Sequence, residues 1–436
     1  MSDIAGIPYV EAEFDKNGAL QNSVYLPAGV TDLFVISHGW NNNAEDARGL
    51  YRRLFQNFVG VAAPGDLPGR SFAIVGVIWP SKAFDELVAA SGVPGDAQGS
   101  ASLSKAHDSA SLQALEEKLD RMKEFFNSPA EQQAIEEAKA LLPDLEDKTS
   151  ARNAFVDKIR SLLNKDAANK EDASTAFFNQ TGTDLMTNLK VDEDDLDDEL
   201  KGPGGAVALP LGVGTAHKVE GGAASLGSML SGFKAAGMNV LNFTTYFEMK
   251  SRAGTVGKKG VGPLIDKLAP DVQRIHLIGH SFGGRVVTST AANSTNGKIA
   301  SMSLLQTAFS HNGFSQSQGG YFRGVVDSQR IHGPILVTHT KNDKAVGLAY
   351  PLASRISGDK TAAFGDENDK FGGLGRNGAQ KMQTGETVVG QLLAVNSTYA
   401  FSTGKFFNLE ASAYIKGHGD ITGKEVAYAI RKAIAG

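Results

Sequence analysis

The chain has 436 residues with 41% hydrophobic and 21% charged side chains, an ordinary globular composition that excludes a wholly disordered or fibrous protein. It contains no cysteine, which excludes disulfide scaffolds, thiol nucleophiles, iron–sulfur clusters and cysteine-ligated zinc. The formal net charge is −5, and residues 181–201 alone hold eight acidic residues against two lysines, so no basic face for nucleic acid is expected.

The amino-terminal residues 1–16 lack the basic region and apolar run of a signal peptide. No uncharged run of about 18 apolar residues occurs, so no transmembrane segment is expected. We therefore predict a cytoplasmic protein, while export without a signal peptide and the oligomeric state stay open.

The first part of the chain alternates between strand-like and helical segments. Residues 9–14 and 20–26 are predicted to form a hairpin around a turn at 16–18. A helix with apolar residues at spacings of four is predicted over 43–59. Short apolar, β-branched runs, typical of strands buried on both faces, occupy residues 31–37 and 72–79.

The character of the sequence changes at residue 83. From there to 210 the apolar spacing is helical, no strand-like run appears, and a capping box at 128–131 begins one of the helices. An acidic tract and a Gly/Pro-rich segment end the region. We predict a helical insertion over 83–210 in a core formed by residues 1–82 and 211–436.

Alternation of strands and helices returns after the insertion. The predicted helices are residues 223–250, 284–293 and 423–435, and the predicted strands are 274–279, 301–307, 334–340 and 406–415. Loops rich in Gly, Ser and Gln are expected at 308–333 and 358–380. This alternation predicts an α/β fold with a mostly parallel central sheet flanked by helices.

The sharpest motif is G-x-S-x-G at residues 279–283, directly after a predicted strand and directly before a predicted helix. In such a tight turn the serine backbone is strained, and the residues two positions before and after it must be small. Gly279 and Gly283 meet that requirement. Ser281 is therefore the candidate nucleophile, and the amides that begin the helix favour negative charge beside it.

With this elbow the chain resembles the α/β-hydrolases of the serine esterase and lipase type, over residues 1–82 and 223–436. The resemblance implies an α/β-hydrolase fold in which the helical insertion is a cap over the carboxyl ends of the strands. It also implies a catalytic triad in the order serine, acid, histidine.

Asp343 matches the acid of that triad because it follows the predicted strand 334–340, and Asp327 is the competing acid in the preceding loop. His418 matches the histidine because it lies between the last predicted strand and the last predicted helix. Four other histidines fit less well, and the side chain of the first is expected to turn away from the nucleophile: His280, His311, His332 and His339.

The segment from Ser37 to Trp40 follows the first buried strand, as the HG motif of the resembled family does. By that correspondence the backbone N–H groups of Trp40 and Phe282 form the oxyanion hole. His38 and Gly39 are expected to support the loop, with His38 bracing it rather than acting as a base.

The resemblance implies a carboxylic ester hydrolase with an acyl-enzyme intermediate, acting on a small-molecule or lipid-like ester without a metal or organic cofactor. Four aromatic residues either line an acyl pocket or pack against the cap: Phe309, Phe314, Tyr321 and Phe322. The same triad could instead cleave a thioester, an amide or a phospholipid. The alternative from another class is a catalytically inactive hydrolase-fold binding protein.

Two segments superficially resemble ligand-binding loops. The basic, Gly-rich residues 254–260 miss the spacing of a phosphate loop and are predicted to form a solvated loop between helices. The acidic residues 192–197 lack the glycine that a calcium loop requires at its sixth position. Neither segment predicts a cofactor or a metal.

Overall fold

The structure is a computed structural model, and it describes residues 2–81, 100–190, 232–343, 353–357 and 370–435. The chain divides into two compact units. The first unit consists of Met1–Lys82, Met249–Gly347 and Ala363–Gly436, and the second consists of Ala83–Glu248 and Leu348–Ala362.

The first unit is built on one sheet, whose nine strands in the described residues follow the order β1-β2-β4-β3-β5-β6-β7-β9-β8. The strands are β1 (Ser2–Ile4), β2 (Ile7–Glu13), β3 (Asp32–Ser37), β4 (Phe72–Ile78), β5 (Arg274–His280), β6 (Ile299–Leu305), β7 (Ile335–His339), β8 (Thr387–Gln391) and β9 (Phe406–Glu410). All neighbouring strands are parallel except β1 and β2. The predicted α/β class with a mostly parallel sheet is confirmed.

Helices flank this sheet and also make up the second unit. The α-helices are α1 (Ala44–Gly60), α2 (Ser100–Met122), α3 (Pro129–Leu141), α4 (Thr149–Arg160), α5 (Ser174–Asn179), α6 (Gly182–Asn188), α7 (Gly232–Thr255), α8 (Gly262–Leu268), α9 (Phe282–Asn293), α10 (Arg323–Asp327), α11 (Leu374–Asn377) and α12 (Lys424–Ala435). Short 3₁₀ turns occur at Leu142–Asp144, Lys165–Ala167 and Ala269–Asp271. None of these described helices is long and apolar enough to cross a membrane.

The central strands are buried along nearly their whole length because helices cover both faces of a parallel sheet. Every residue of β3 is buried, as is every residue of β5 after the first. Phe34 of β3 packs against Phe55 and Phe58 of α1, with ring centroids 5.1 Å apart in both pairs. These contacts pack β3 against α1, close to the segment that follows β3.

The predicted amino-terminal hairpin is largely wrong. Strand β2 pairs with β1 in antiparallel fashion over Ile7–Tyr9 and with β4 in parallel fashion over Tyr9–Glu13. The chain after the predicted turn contributes one antiparallel bridge, between Phe14 and Leu20. Beyond Leu20 the chain bonds to β2 through the Asn22 side chain, which accepts from the Glu13 amide and donates to the Glu11 carbonyl, and residues 21–26 form no strand.

The edge strand β8 was not predicted from the sequence. Its Val388 and Val389 side chains are exposed, at 44% and 80%, so the strand shows no buried periodicity. The strand is held in the sheet by parallel backbone pairing with β9. An exposed strand that is held only by backbone pairing along one edge has no hydrophobic pattern that could be recognised in the sequence.

The second unit is helical in its described residues. Its helix α3 begins with the predicted capping box, in which Ser128 accepts from the Glu131 amide and the Glu131 carboxylate accepts from the Ser128 amide. The acidic residues 192–199 and the predicted return to the core at residue 211 lie outside the described residues.

The second unit extends further along the chain than the predicted boundary at 210, because it includes the first part of α7, up to Glu248. Phe243 and Phe247 of α7 pack against Phe177 and Phe178, with centroid distances of 4.8 and 5.4 Å. These aromatic contacts attach the first part of α7 to α5 of the second unit.

The prediction of a solvated loop at 254–260 is also wrong. The segment continues α7 as a wide helical turn of π type, Val256–Val261, and then joins α8. A side chain at Gly257 would place its Cβ 2.2 Å from the Val286 carbonyl oxygen. Gly257 therefore allows close packing against α9, which a sequence pattern alone does not distinguish from loop flexibility.

Candidate active site

Ser281 lies at the junction between β5 and α9, as the elbow motif predicts. Its backbone has φ +56° and ψ −126°, a conformation that is strained for a residue with a side chain. Its amide donates to the Leu305 carbonyl at 3.1 Å, and its own carbonyl accepts from the amides of Gly284 and Ala308. Backbone hydrogen bonds to the neighbouring strand end and to the first helical turn thus maintain the strain.

The two elbow glycines are required by atoms that the structure identifies. A Cβ on Gly279 would lie 2.4 Å from the Gly283 carbonyl oxygen, inside the elbow itself. A Cβ on Gly283 would lie 2.1 Å from the carbonyl oxygen of Ser37, at the end of β3. The first glycine therefore permits the turn, and the second permits close contact between the elbow and the neighbouring strand.

The segment after β3 approaches the serine closely. A Cβ on Gly39 would lie 2.5 Å from Ser281 Cβ and 3.0 Å from Ser281 Oγ, so only glycine permits this approach. The Trp40 ring contacts the Phe282 ring at a centroid distance of 5.9 Å. The two residues whose amides are predicted to form the oxyanion hole are therefore in contact. Phe282 is the first residue of α9, and the amides of a first helical turn have no partner within the helix.

His38 is fully buried, and its ring forms hydrogen bonds with nearby backbone groups. Its Nδ1 lies 2.9 Å from the Gly39 carbonyl oxygen, its Nε2 accepts from the Trp79 amide, and its ring stacks on the Trp79 indole. The His38 amide donates to the Tyr51 hydroxyl at 2.8 Å. Both ring nitrogens are therefore used for bracing the segment.

The predicted acid and histidine are in direct contact. His418 Nδ1 lies 2.9 Å from Asp343 Oδ2, although the two residues are 75 positions apart in the chain. Asp343 follows β7 and is fully buried. Because Nδ1 faces a carboxylate it carries the proton, which leaves the His418 Nε2 lone pair available as a base.

His280 lies beside the nucleophile, and its side chain reaches the histidine loop. Its Nε2 is 2.9 Å from the His418 carbonyl oxygen, and the centroids of the two imidazole rings are 4.9 Å apart. Sequence reasoning described this side chain only as turned away from the nucleophile. The contact joins residues 138 positions apart, so no local pattern could have predicted it.

Asn342 is a second residue whose position sequence reasoning missed. Its Nδ2 donates to the carbonyls of Ile415 and Ser412 at 2.9 and 3.3 Å. Arg376 donates to the Lys341 carbonyl at 2.8 Å. These bonds tie the loop that carries Asp343 to its surroundings and to the loop that carries His418.

The competing acid occupies a different environment. Asp327 lies in α10, and its carboxylate accepts from Arg323 Nε at 2.8 Å while the side chain remains 54% exposed. Among the competing histidines, His311 contacts Asn377 through its ring and His332 is exposed.

The aromatic residues of the loop after β6 are mostly interior. The rings of Phe309, Phe314 and Phe322 are buried against one another, and Phe314 also packs on Phe406 of β9. Tyr321 is 56% exposed and lies over the Arg285 guanidinium. Three of the four residues proposed for an acyl pocket are therefore core residues of the first unit.

Comparison with family models, with curated proteins and with solved structures gives no match. The chemistry of the site must therefore be judged from its own geometry. Within the described ranges, no three His, Asp or Glu side chains are grouped so that they could hold a metal ion.

Three buried histidines make the stability of the protein sensitive to acid. Burial lowers the pKa of His38 to about 4, that of His280 to about 3, and that of His276 by an amount limited by its bond to Asp32. The unfolded chain protonates these residues near their ordinary pKa of 6.5. Unfolding therefore binds protons at pH values below about 6.5. As the pH falls through that range, the free energy of unfolding should decrease by up to about 1.4 kcal/mol per pH unit for each histidine.

Urea unfolding between about pH 7.5 and about pH 5 measures this dependence. Replacement of the exposed His332 by glutamine should leave the slope unchanged, whereas His280→Phe should remove one histidine's share of it. A free energy of unfolding that does not change over this range would contradict the assignment of neutral, buried imidazoles.

Proposed function

We propose that this protein is a serine hydrolase that cleaves carboxylic esters, built on an α/β-hydrolase fold. The observation that carries the proposal is a strained serine at a strand-to-helix turn together with an acid–histidine pair whose acid is buried. Ser281 has a positive φ at a strand-to-helix turn, and His418 packs against the adjacent His280 while bonding to Asp343. Structural polar networks seldom combine this backbone strain with that order of residues.

In the proposed mechanism, His418 Nε2 accepts the proton of the Ser281 hydroxyl as its oxygen attacks the ester carbonyl carbon. The C=O π electrons move to oxygen, and the tetrahedral intermediate is stabilised by the amides of Trp40 and Phe282. His418 then donates its proton to the leaving alcohol as the C–O bond breaks. Water attacks the acyl-enzyme by the same steps and regenerates Ser281.

The remaining residues contribute through position and charge. Asp343 fixes the Nδ1–H tautomer of His418 and stabilises the imidazolium that forms in each half-reaction. Each oxyanion donor is worth about 3 kcal/mol of transition-state stabilisation. The Trp40 amide suits this role, since it donates to no acceptor within the part of the chain that the structure describes.

The interior position of three loop aromatics guides the choice of substrate. Because Phe309, Phe314 and Phe322 fill the core, they do not support a long-chain acyl pocket. We therefore propose carboxylic esters in general as the substrate class, with nitrophenyl acetate as a suitable first assay substrate.

A fluorophosphonate probe tests the proposal directly, because it phosphonylates only a serine that a neighbouring base activates. Wild-type protein should be labelled and Ser281→Ala should not, while Ser328→Ala, which alters an exposed serine, should be labelled as wild type. Absence of labelling of the wild type, or equal labelling of Ser281→Ala, would overturn the proposal. Wild-type protein that folds but resists the probe would favour the inactive binding protein.

A further inference from the structure

We propose that His280 is a positioning residue that holds the loop of the catalytic base through a hydrogen bond to the His418 backbone. The inference rests on the proposed function, because it assigns His418 the role of base. The bond runs from His280 Nε2 to the His418 carbonyl oxygen, over 2.9 Å. It connects the residue before the nucleophile to the residue that would activate it.

The tautomer of His280 follows from this contact. A carbonyl oxygen only accepts hydrogen bonds, so Nε2 must carry the proton. Nδ1 is then a bare lone pair, and it is buried with no donor among the described residues. A buried polar atom without a partner destabilises a fold, so a purely structural position would be better filled by an apolar ring.

The loop that carries His418 needs an external attachment. His418 lies between Gly417 and Gly419, and a Cβ built on either glycine meets nothing within 4 Å, so neither is packed. Within the described ranges, the bond from His280 is the only hydrogen bond between the His418 backbone and another segment. Without it, the imidazole would be held by its bond to Asp343 alone, on a backbone that two glycines make flexible.

His280 is also suited to lie beside a group that becomes positively charged. Burial, together with the nearby imidazole of His418, lowers the pKa of His280 to about 3. It therefore stays neutral at the pH values where an esterase of this kind would work. A neutral ring 4.9 Å from His418 adds no net charge repulsion when the imidazolium forms.

Three substitutions separate the hydrogen bond from the shape of the ring. His280→Phe keeps an aromatic ring but has no donor. His280→Gln places an amide N–H close to the position of Nε2, and His280→Asn keeps an amide donor that is too short to reach the carbonyl. The rate constant of fluorophosphonate labelling, kinact, and the probe's half-saturation constant, KI, are measured for each together with thermal unfolding.

We expect His280→Phe and His280→Asn to lower kinact by about 10- to 100-fold with KI unchanged, as a small misplacement of a catalytic group does. His280→Gln should restore kinact to within a few-fold of wild type. The thermal midpoint of His280→Phe should not fall, since the variant removes an unpaired buried nitrogen. Wild-type kinact in His280→Phe, or no rescue by glutamine, would overturn the inference.

Hydrogen exchange of the amides in residues 417–420 gives a readout that does not need activity. Exchange should accelerate in His280→Phe and return to the wild-type rate in His280→Gln. Equal exchange in all variants would contradict the proposed role of the His280–His418 hydrogen bond, even if the wild-type enzyme is labelled. Failure of wild-type labelling, by contrast, would count against the proposed function, while the exchange data would still test the His280–His418 hydrogen bond.

Discussion

Replacement of Asp343 by asparagine should lower kcat for ester hydrolysis by about 10⁴-fold while KM changes little. Asp343 is fully buried, and its Oδ2 lies 2.9 Å from His418 Nδ1. In the proposed mechanism the carboxylate holds the proton on Nδ1, so that Nε2 can act as the base. An asparagine amide can donate to Nδ1 instead, which fixes the opposite tautomer and blocks proton transfer from Ser281.

The chain supplies a matched control for this substitution. Asp327→Asn alters the competing acid, which pairs with Arg323 and is 54% exposed, so kcat should change by less than about twofold. Steady-state hydrolysis of nitrophenyl acetate measures both variants. If Asp327→Asn were the one to lose activity and Asp343→Asn kept it, the acid would be assigned to the wrong loop.

Gly283→Ala should be the most disruptive single methyl group in the site. The new Cβ would lie 2.1 Å from the Ser37 carbonyl oxygen and 2.5 Å from that of His38, and neither backbone atom can rotate away. The elbow and the segment after β3 must separate, which we expect to lower the free energy of unfolding by about 3 kcal/mol. The same separation moves Trp40 relative to Ser281, so fluorophosphonate labelling should be lost.

Gly60→Ala is the control, because Gly60 ends α1 and a Cβ there meets nothing within 4 Å. We expect this variant to unfold at the same free energy as wild type or up to about 1 kcal/mol higher, with full labelling. Urea unfolding and probe labelling of the two variants give the comparison. A Gly283→Ala protein as stable and reactive as Gly60→Ala would show that the predicted backbone clash does not exist.

Local patterns in the sequence predicted the central strands and their helices well. The run 31–37 has no polar alternation, and β3 is buried at every position. The edge of the sheet was predicted poorly, since β8 is exposed and is held by backbone pairing. Strand order was also beyond sequence reasoning, because each parallel pairing joins segments that are distant in the chain.

The boundary of the helical unit shows the same limit. Helix α7 is one continuous element, yet its first part, up to Glu248, belongs to the second unit through the contacts of Phe243 and Phe247. Helical spacing identifies an apolar face but does not say which partner covers it. The boundary was therefore placed too early in the chain.

The sequence by itself determined the composition of the candidate site. Absence of cysteine removed thiol chemistry, and the glycines at 279 and 283 permitted a tight turn around Ser281. The resemblance to the α/β-hydrolases then assigned Asp343 and His418 by their places in chain order after predicted strands. These conclusions depend on local sterics and on chain order, which a sequence records directly.

Only the tertiary structure decided how that site is assembled. It placed Asp343 against His418, Gly39 against Ser281, and His280 against the backbone of His418. Each of these contacts joins segments that are far apart in the chain and lie at the ends of different strands. No local periodicity encodes such a contact, because it exists only once the strands have paired in their final order.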